Sequence, residues 1–143
     1  MKIYLGCDHA GFNMRLEVMN YLKELGYETE ECLFHEYNKE DDYTDAAEEV
    51  IKKVSEEDGA MGVLCCGTGI GMSIAANRNR KIRAAVCTTE FETEMTRKHN
   101  DANVLCLGER VIDIEQGKKL AKIFFETEFS GEEKHIRRIE RLS

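Results

Sequence analysis

Short apolar runs alternate with segments whose apolar residues recur every three to four positions, from one end of the 143-residue chain to the other. Lys2 to Cys7 is a β-rich run that closes in Gly6-Cys7-Asp8-His9. From Phe12 to Leu25, the positions of Leu16, Met19, Leu22 and Leu25 predict a helix that Gly26 terminates. A second strand fits Tyr27 to Leu33, followed by an acidic, turn-rich stretch to Asp42. The next helix carries Ala46, Ala47, Val50, Ile51 and Val54 on one side. Ala60 to Cys66 predicts a third strand, running at once into Gly67-Thr68-Gly69-Ile70-Gly71 and a helical segment through Asn77. Arg83 to Cys87 and Asn103 to Leu107 read as strands four and five, with helices over Phe91 to His99 and Ile114 to Phe125. Near-continuously apolar strands alternating with helices predict a parallel sheet covered on both faces.

In such sheets ligands sit at the carboxyl ends of the strands. That places candidate chemistry at Cys7-Asp8-His9, at Cys66-Gly67-Thr68, and in the loops after strands four and five. The tail reads differently. Ser130-Gly131-Glu132-Glu133 has the form of a capping box opening a final helix over about 131–142. Ile136 and Ile139 mark its apolar side, while Lys134 and Arg138, four apart, share another. No repeat, low-complexity tract or linker divides residues 1–143, so one domain is expected.

Composition narrows the function classes. Twenty Lys and Arg against 28 Asp and Glu give a formal charge of −8, which argues against duplex nucleic acid as the main partner. No apolar run approaches the roughly 18 residues of a membrane span, and the N-terminus lacks a signal-peptide layout. A cytoplasmic location without membrane partners is therefore expected. Six cysteines spread along such a chain read as reduced thiols. Cys65-Cys66 is vicinal rather than C-x-x-C and the four histidines are far apart in sequence, so no zinc site is expected. Proline is absent, which leaves the turns to glycine, Asn and Asp.

The sharpest motif is Cys66-Gly67-Thr68-Gly69-Ile70-Gly71-Met72-Ser73: a strand ends in a thiol, and a glycine-rich turn opens a helix. Glycines let the backbone approach a ligand, and the partial positive charge of a helix N-terminus favours an anion, a thiolate included. The plainer reading is a strand-to-helix turn whose cysteine is a small buried apolar residue. A Walker A loop is excluded because Met72-Ser73 follows Gly71, and the dinucleotide fingerprint because Met72 stands where glycine is required. Asp8-His9 ends strand one; a receiver-type phosphoacceptor is excluded because strand three ends in Cys66 rather than aspartate. His99-Asn100 closes a helix, where an imidazolium also suits the dipole simply as a cap. Lys134 and Arg138 could bind phosphate or merely face solvent.

Taken together, Gly6-Cys7-Asp8-His9-Ala10-Gly11-Phe12, Asp42-Tyr43, Cys66 through Asn77, Arg83-Ala84, His99-Asn100, Asn103-Val104-Leu105, Gly108-Glu109-Arg110 and Lys134 through Ile139 resemble the ribose-5-phosphate isomerase B family and its relatives, the galactose-6-phosphate isomerase subunits. The resemblance spans essentially the whole chain. It implies a three-layer α/β/α sandwich with a five-stranded parallel Rossmann-like sheet. A homodimer or tetramer is implied, with the active site shared between subunits and with no metal or organic cofactor. By position, Cys66 matches the base that moves a proton between C1 and C2 of an open-chain sugar phosphate. The amides of Gly67, Gly69 and Gly71 would hold the enediolate. Thr68 matches a hydroxyl that assists ring opening, and His99 the acid/base that opens the furanose, with Asn100 beside it. Asp8 and Tyr43 match substrate-orienting groups, and His9, Lys134 and Arg138 the phosphate-binding set. The region of His99 and Arg110 is expected from the neighbouring subunit.

Three positions depart from the family pattern. Lys134 stands where arginine is common, and it offers a point charge rather than a bidentate fork. Gly131-Glu132-Glu133 replaces Gly-Gly and puts acid beside that cation. Asp42-Tyr43-Thr44 replaces Asp-Tyr-Pro. The expected activity is aldose–ketose isomerisation of ribose 5-phosphate and ribulose 5-phosphate. The alternatives are a six-carbon sugar phosphate such as allose or galactose 6-phosphate, and a non-catalytic sugar-phosphate-binding module.

Overall fold

A computed structural model describes residues 1–32 and 38–142. Five parallel strands form one sheet in the order β2-β1-β3-β5-β4. They are β1 (Lys2–Cys7), β2 (Glu28–Glu31), β3 (Met61–Cys66), β4 (Ala84–Val86) and β5 (Val104–Gly108). Among the described residues six α-helices accompany them: α1 (Phe12–Glu24), α2 (Tyr43–Glu56), α3 (Ile70–Ala76), α4 (Glu90–Asn100), α5 (Ile114–Glu126) and α6 (Glu133–Glu140). This is the expected three-layer α/β/α Rossmann-like fold. The register sets Cys7 beside Cys65 and Cys66 beside Gly108, which aligns the carboxyl ends of the three central strands.

Two apolar cores lie on opposite faces of the sheet, because alternate residues of a strand point opposite ways. One joins Ile3, Leu5, Cys65 and Leu105 to Met14, Val18 and Leu22 of α1 and to Leu120, Ala121 and Phe124 of α5. The other joins Tyr4, Leu64, Cys66 and Cys106 to Ala46, Val50 and Val54 of α2 and to Met72 and Ala76 of α3. Each fully buried aliphatic or aromatic side chain contributes about 1.5–3 kcal/mol. The thiols of Cys65 and Cys66 thus belong to different layers, so the vicinal pair does not present two sulfurs to one ion.

Element boundaries depart from the pattern where the sequence is polar or small. β2 is the four-residue Glu-Thr-Glu-Glu edge strand instead of Tyr27 to Leu33, with Leu33 outside the described residues. In α1 the core takes Met14, Val18, Met19 and Leu22, whereas Leu16 is half-buried and Leu25 exposed. Arg15 is buried there too and pairs with Glu31. The final helix is not opened by a capping box: Glu132 is its cap residue, and the Ser130 hydroxyl accepts the Glu132 N–H at 3.3 Å. A true box sits on α4, where Thr89 accepts from Glu92 N–H and the Glu92 carboxylate accepts from Thr89 N–H. On α6 the buried side chain is His135, while Ile136 is exposed.

Candidate active site

The chain leaves β1 for α1 on one face of the sheet and leaves the adjacent β3 for α3 on the other. Neighbouring strands whose continuations part in this way open a crevice at their carboxyl ends. A cavity of about 260 Å³ lies there, lined by Asp8, His9, Ala10, Tyr43, Cys66, Gly67, Thr68, Gly71 and Arg110. A wider cleft of about 420 Å³ opens at the amino ends of β3 and β5, between Ala60, Met61, Arg83 and Asn103, and none of the candidate residues lines it.

Asp8 builds the first wall. Its Oδ1 accepts the N–H groups of Ala10 at 2.9 Å and Gly11 at 3.1 Å, which starts a single 3-10 turn over His9–Gly11. Burial raises the Asp8 carboxyl above the ordinary carboxylate range, and these two amide bonds pull against that rise. His9 follows on the same turn, with its Nδ1 at 2.8 Å from Asp41 Oδ1. Asp8, His9 and Asp41 bring ligand atoms within 4.8 Å of one another and, among the described residues, form the group with metal-ligating character.

Cys66 ends β3, nearly buried, with its sulfur accepting the Gly69 N–H at 3.0 Å. That amide is aimed at the sulfur because Gly69 adopts φ = 80°, a left-handed conformation that costs a side-chain-bearing residue about 1–2 kcal/mol. The loop after β5 is zipped onto this turn. Glu109 N–H donates to the Cys66 carbonyl at 2.9 Å and Arg110 N–H to the Gly67 carbonyl at 3.0 Å. The Arg110 guanidinium consequently lies against Gly67. Arg110 therefore reaches the Cys66 cavity from its own chain, and the expectation that it arrives with a neighbouring subunit is corrected. Thr68 is exposed, its hydroxyl accepting the Ile70 N–H at 3.2 Å. Tyr43, the first residue of α2, lays its ring over Gly71 so closely that a Cβ there would stand 2.7 Å from Cζ.

The other five thiols are core groups. Burial is the main cause that pushes Cys87 up to about 11 and Cys32 up to about 12, and it raises Cys7, Cys65 and Cys106 as well. Cys66 is the cysteine that lines the cavity.

A second group of expected residues gathers elsewhere. His99 and Asn100 close α4, both exposed, and neither lines the Cys66 cavity. The His99 ring stacks on that of His135 from α6, with centroids 4.4 Å apart and 18° between planes. Arg83 moors the helix end: its Nε donates to the Asn100 carbonyl at 2.8 Å and its Nη2 to the Asp101 carbonyl at 2.9 Å. Asp101 has φ = 45° and accepts Arg97 Nη1 at 2.9 Å. Lys134 and Arg138 are exposed on α6, and the Lys134 ammonium lies 3.6 Å from the Glu132 carboxylate, so the acid that replaces glycine does face that cation. One chain thus carries two separate clusters, Asp8, His9, Tyr43, Cys66, Thr68 and Arg110 in one and His99, Asn100, Lys134 and Arg138 in or beside the other.

Three residues that touch these clusters had no role in the sequence reading. Asp41 lies in an acidic stretch that looks solvated, and Arg83 and His135 stand inside quoted motif runs, which was the available signal. Among the described residues no helix is long and apolar enough to cross a membrane.

Comparison with known proteins identifies the family. A sequence model described as Ribose/Galactose Isomerase matches residues 3–142. Ribose-5-phosphate isomerase B of Escherichia coli is 36% identical over 142 residues, covering 99% of this chain and 94% of that protein. The structure of ribose 5-phosphate isomerase B from Thermotoga maritima superposes with a TM-score of 0.91 at 41% identity, covering 99% of this chain and 96% of that one. The Mycoplasma genitalium ribose-5-phosphate isomerase B, solved with bound ribulose-5-phosphate, gives a TM-score of 0.94 at 32% identity, covering 99% and 93%. With a family model matching residues 3–142 and relatives more than 30% identical over nearly the whole chain, the chain belongs to the ribose/galactose isomerase family.

Proposed function

We propose that this protein interconverts ribose 5-phosphate and ribulose 5-phosphate through an enediolate, with Cys66 as the base. The observation that carries the proposal is the Cys66 sulfur at the cavity, 3.0 Å from an amide of the glycine turn. In the aldose-to-ketose direction the Cys66 thiolate takes the proton from C2 of the open-chain sugar. The electron pair of that bond forms the C1–C2 double bond, and the C1 carbonyl becomes an oxyanion. Amides of the Gly67 to Gly71 turn stabilise that charge, which develops only during the reaction. The proton then returns to C1, the C2 hydroxyl loses its own, and a C2 carbonyl results. Net, one proton passes from C2 to C1 and one from O2 to O1.

Asp8, Tyr43 and Thr68 orient the sugar, and His9 and Arg110 meet its phosphate end together with Lys134 and Arg138. His99 opens the furanose, with Asn100 beside it. Because His99 and Asn100 lie outside the Cys66 cavity, a second copy of the chain supplies them, in a homodimer or tetramer. Exposed Ile70, Ile74, Val111 and Ile136 support such a contact. Residues 1–143 act as one domain whose α6 completes the phosphate site or the dimer, in the cytoplasm and without metal or organic cofactor.

The test is incubation of purified protein with ribose 5-phosphate in deuterated water. Ketose formation with solvent deuterium entering at carbon supports the proposal, including in the presence of a chelator. Saturable binding without exchange would make the protein a binder, strong chelator inhibition would reject the metal-free mechanism, and preferential turnover of allose 6-phosphate would move the substrate to six carbons.

A further inference from the structure

Asp41 is held out of solvent, with a side chain 1% exposed, yet it belongs to a polar stretch that nothing apolar in the sequence would bury. One of its oxygens, Oδ1, accepts twice from the same residue: from the His9 backbone N–H at 3.0 Å and from His9 Nδ1 at 2.8 Å. Its other oxygen, Oδ2, is buried with no hydrogen-bond partner among the described residues. An unsatisfied buried carboxylate oxygen costs stability, and such costs concentrate at functional sites. The two bonds lock both the backbone and the ring of a cavity-lining histidine from a position 32 residues away in sequence.

We infer that Asp41 is a positioning residue for phosphate recognition, acting through His9. This rests on the reading of His9 as a phosphate ligand given above. With Nδ1–H donated to Asp41, the ring offers its ligand chemistry at Nε2. Asp41 behind the ring fixes the direction in which it faces a phosphate oxygen in front. Among the described residues, Asp8 is the second acid within reach of this ring and Arg110 is the cation lining the same cavity. Asp8 spends Oδ1 on two backbone amides, whereas the side-chain hydrogen bonds of Asp41 among the described residues go to His9.

The phosphate is the part of the substrate that does not react, so disturbing its ligand should alter binding and transition state alike. Asp41→Ala is expected to raise KM for ribose 5-phosphate and the inhibition constant of inorganic phosphate by the same factor, about tenfold, with kcat changed by less than about threefold. Asp41→Asn, whose amide oxygen still accepts from His9, should recover part of that loss and carries the test if the alanine variant does not fold. In a His9→Ala background either substitution should add nothing further to KM. A KM unchanged in both variants, a loss confined to kcat, or full additivity with His9→Ala would overturn the inference. Manganese bound by the wild type and released by Asp41→Asn would also overturn it, by making the pair a cation site. If the wild type itself fails to turn over ribose 5-phosphate, the isomerase reading falls instead, and phosphate affinity measured calorimetrically on the same variants still decides the role of Asp41.

Discussion

His99 and His135 stack face to face, 4.4 Å between centroids, one exposed at the end of α4 and the other buried under α6. Protonation of the buried His135 is opposed. Burial first, and then the His99 ring, hold His135 below its ordinary value of 6.5, with Lys134 and Arg138 pushing the same way against Glu132.

Folding therefore favours neutral His135, and the unfolded chain binds the extra proton first. The stability this contributes is fully present above the ordinary histidine value and is lost as pH falls through it toward the lower folded value. The midpoint of thermal unfolding should drop between about pH 8 and pH 5 in the wild type. In His135→Phe, which keeps a stacking ring but cannot titrate, the drop should be smaller. Equal slopes in the two proteins would count against a neutral buried His135.

Cys66→Ala should fold normally and lose about 10²–10⁴-fold in isomerisation, the ordinary weight of a general base. Cys65→Ala is the control from the neighbouring position. Its side chain packs in the other layer, so it should lose roughly 1 kcal/mol of stability and keep its turnover. Near-normal activity in Cys66→Ala removes the base assignment.

His99→Asn should impair a substrate whose ring must be opened and spare an open-chain four-carbon aldose phosphate. Steady-state kinetics on the two substrates measure the split, and equal losses on both would assign His99 some other task.

Gly71→Ala sets a methyl group 2.7 Å from Tyr43 Cζ. The ring is partly exposed and can swing aside, so destabilisation should stay near the low end of overpacking, about 1 kcal/mol. The displaced hydroxyl should raise KM by about tenfold, since a shift of about 1 Å in a positioning group is costly. Tyr43→Ala should show the same KM rise, and adding Gly71→Ala to it should change little.

The fold was legible because β3, β4 and β5 are apolar throughout and the major helices keep a clear stripe, as Ala46, Val50 and Val54 show. Legibility failed where the pattern is short or polar. The edge strand Glu28–Glu31 is held by ladder bonds to β1 rather than by an apolar face. In the eight-residue α6, two isoleucines suggest one inward side, but the stacking partner offered by His99 draws His135 inward instead. The Ser130 and Thr89 segments share one spacing, and only tertiary context decides which of them caps a helix. At the site, Cys66 and its glycine turn announce themselves by local sequence. Arg110 does not, because its place depends on β5 lying beside β3, and Asp41 does not, because an acid in an acidic stretch carries no mark of burial.

Asp101 sits in a left-handed conformation that glycine would adopt more cheaply, yet its carboxylate receives both Arg97 and Arg83. Backbone preference and side-chain chemistry compete at this residue, and the side chain prevails. A glycine there would relax the chain while removing the carboxylate that both guanidinium groups share, leaving Arg83 to hold the helix end through the carbonyls of residues 100 and 101 alone. The backbone strain at position 101 is thus a means of steadying the end of the helix that carries His99, and a more comfortable main chain would make a looser one.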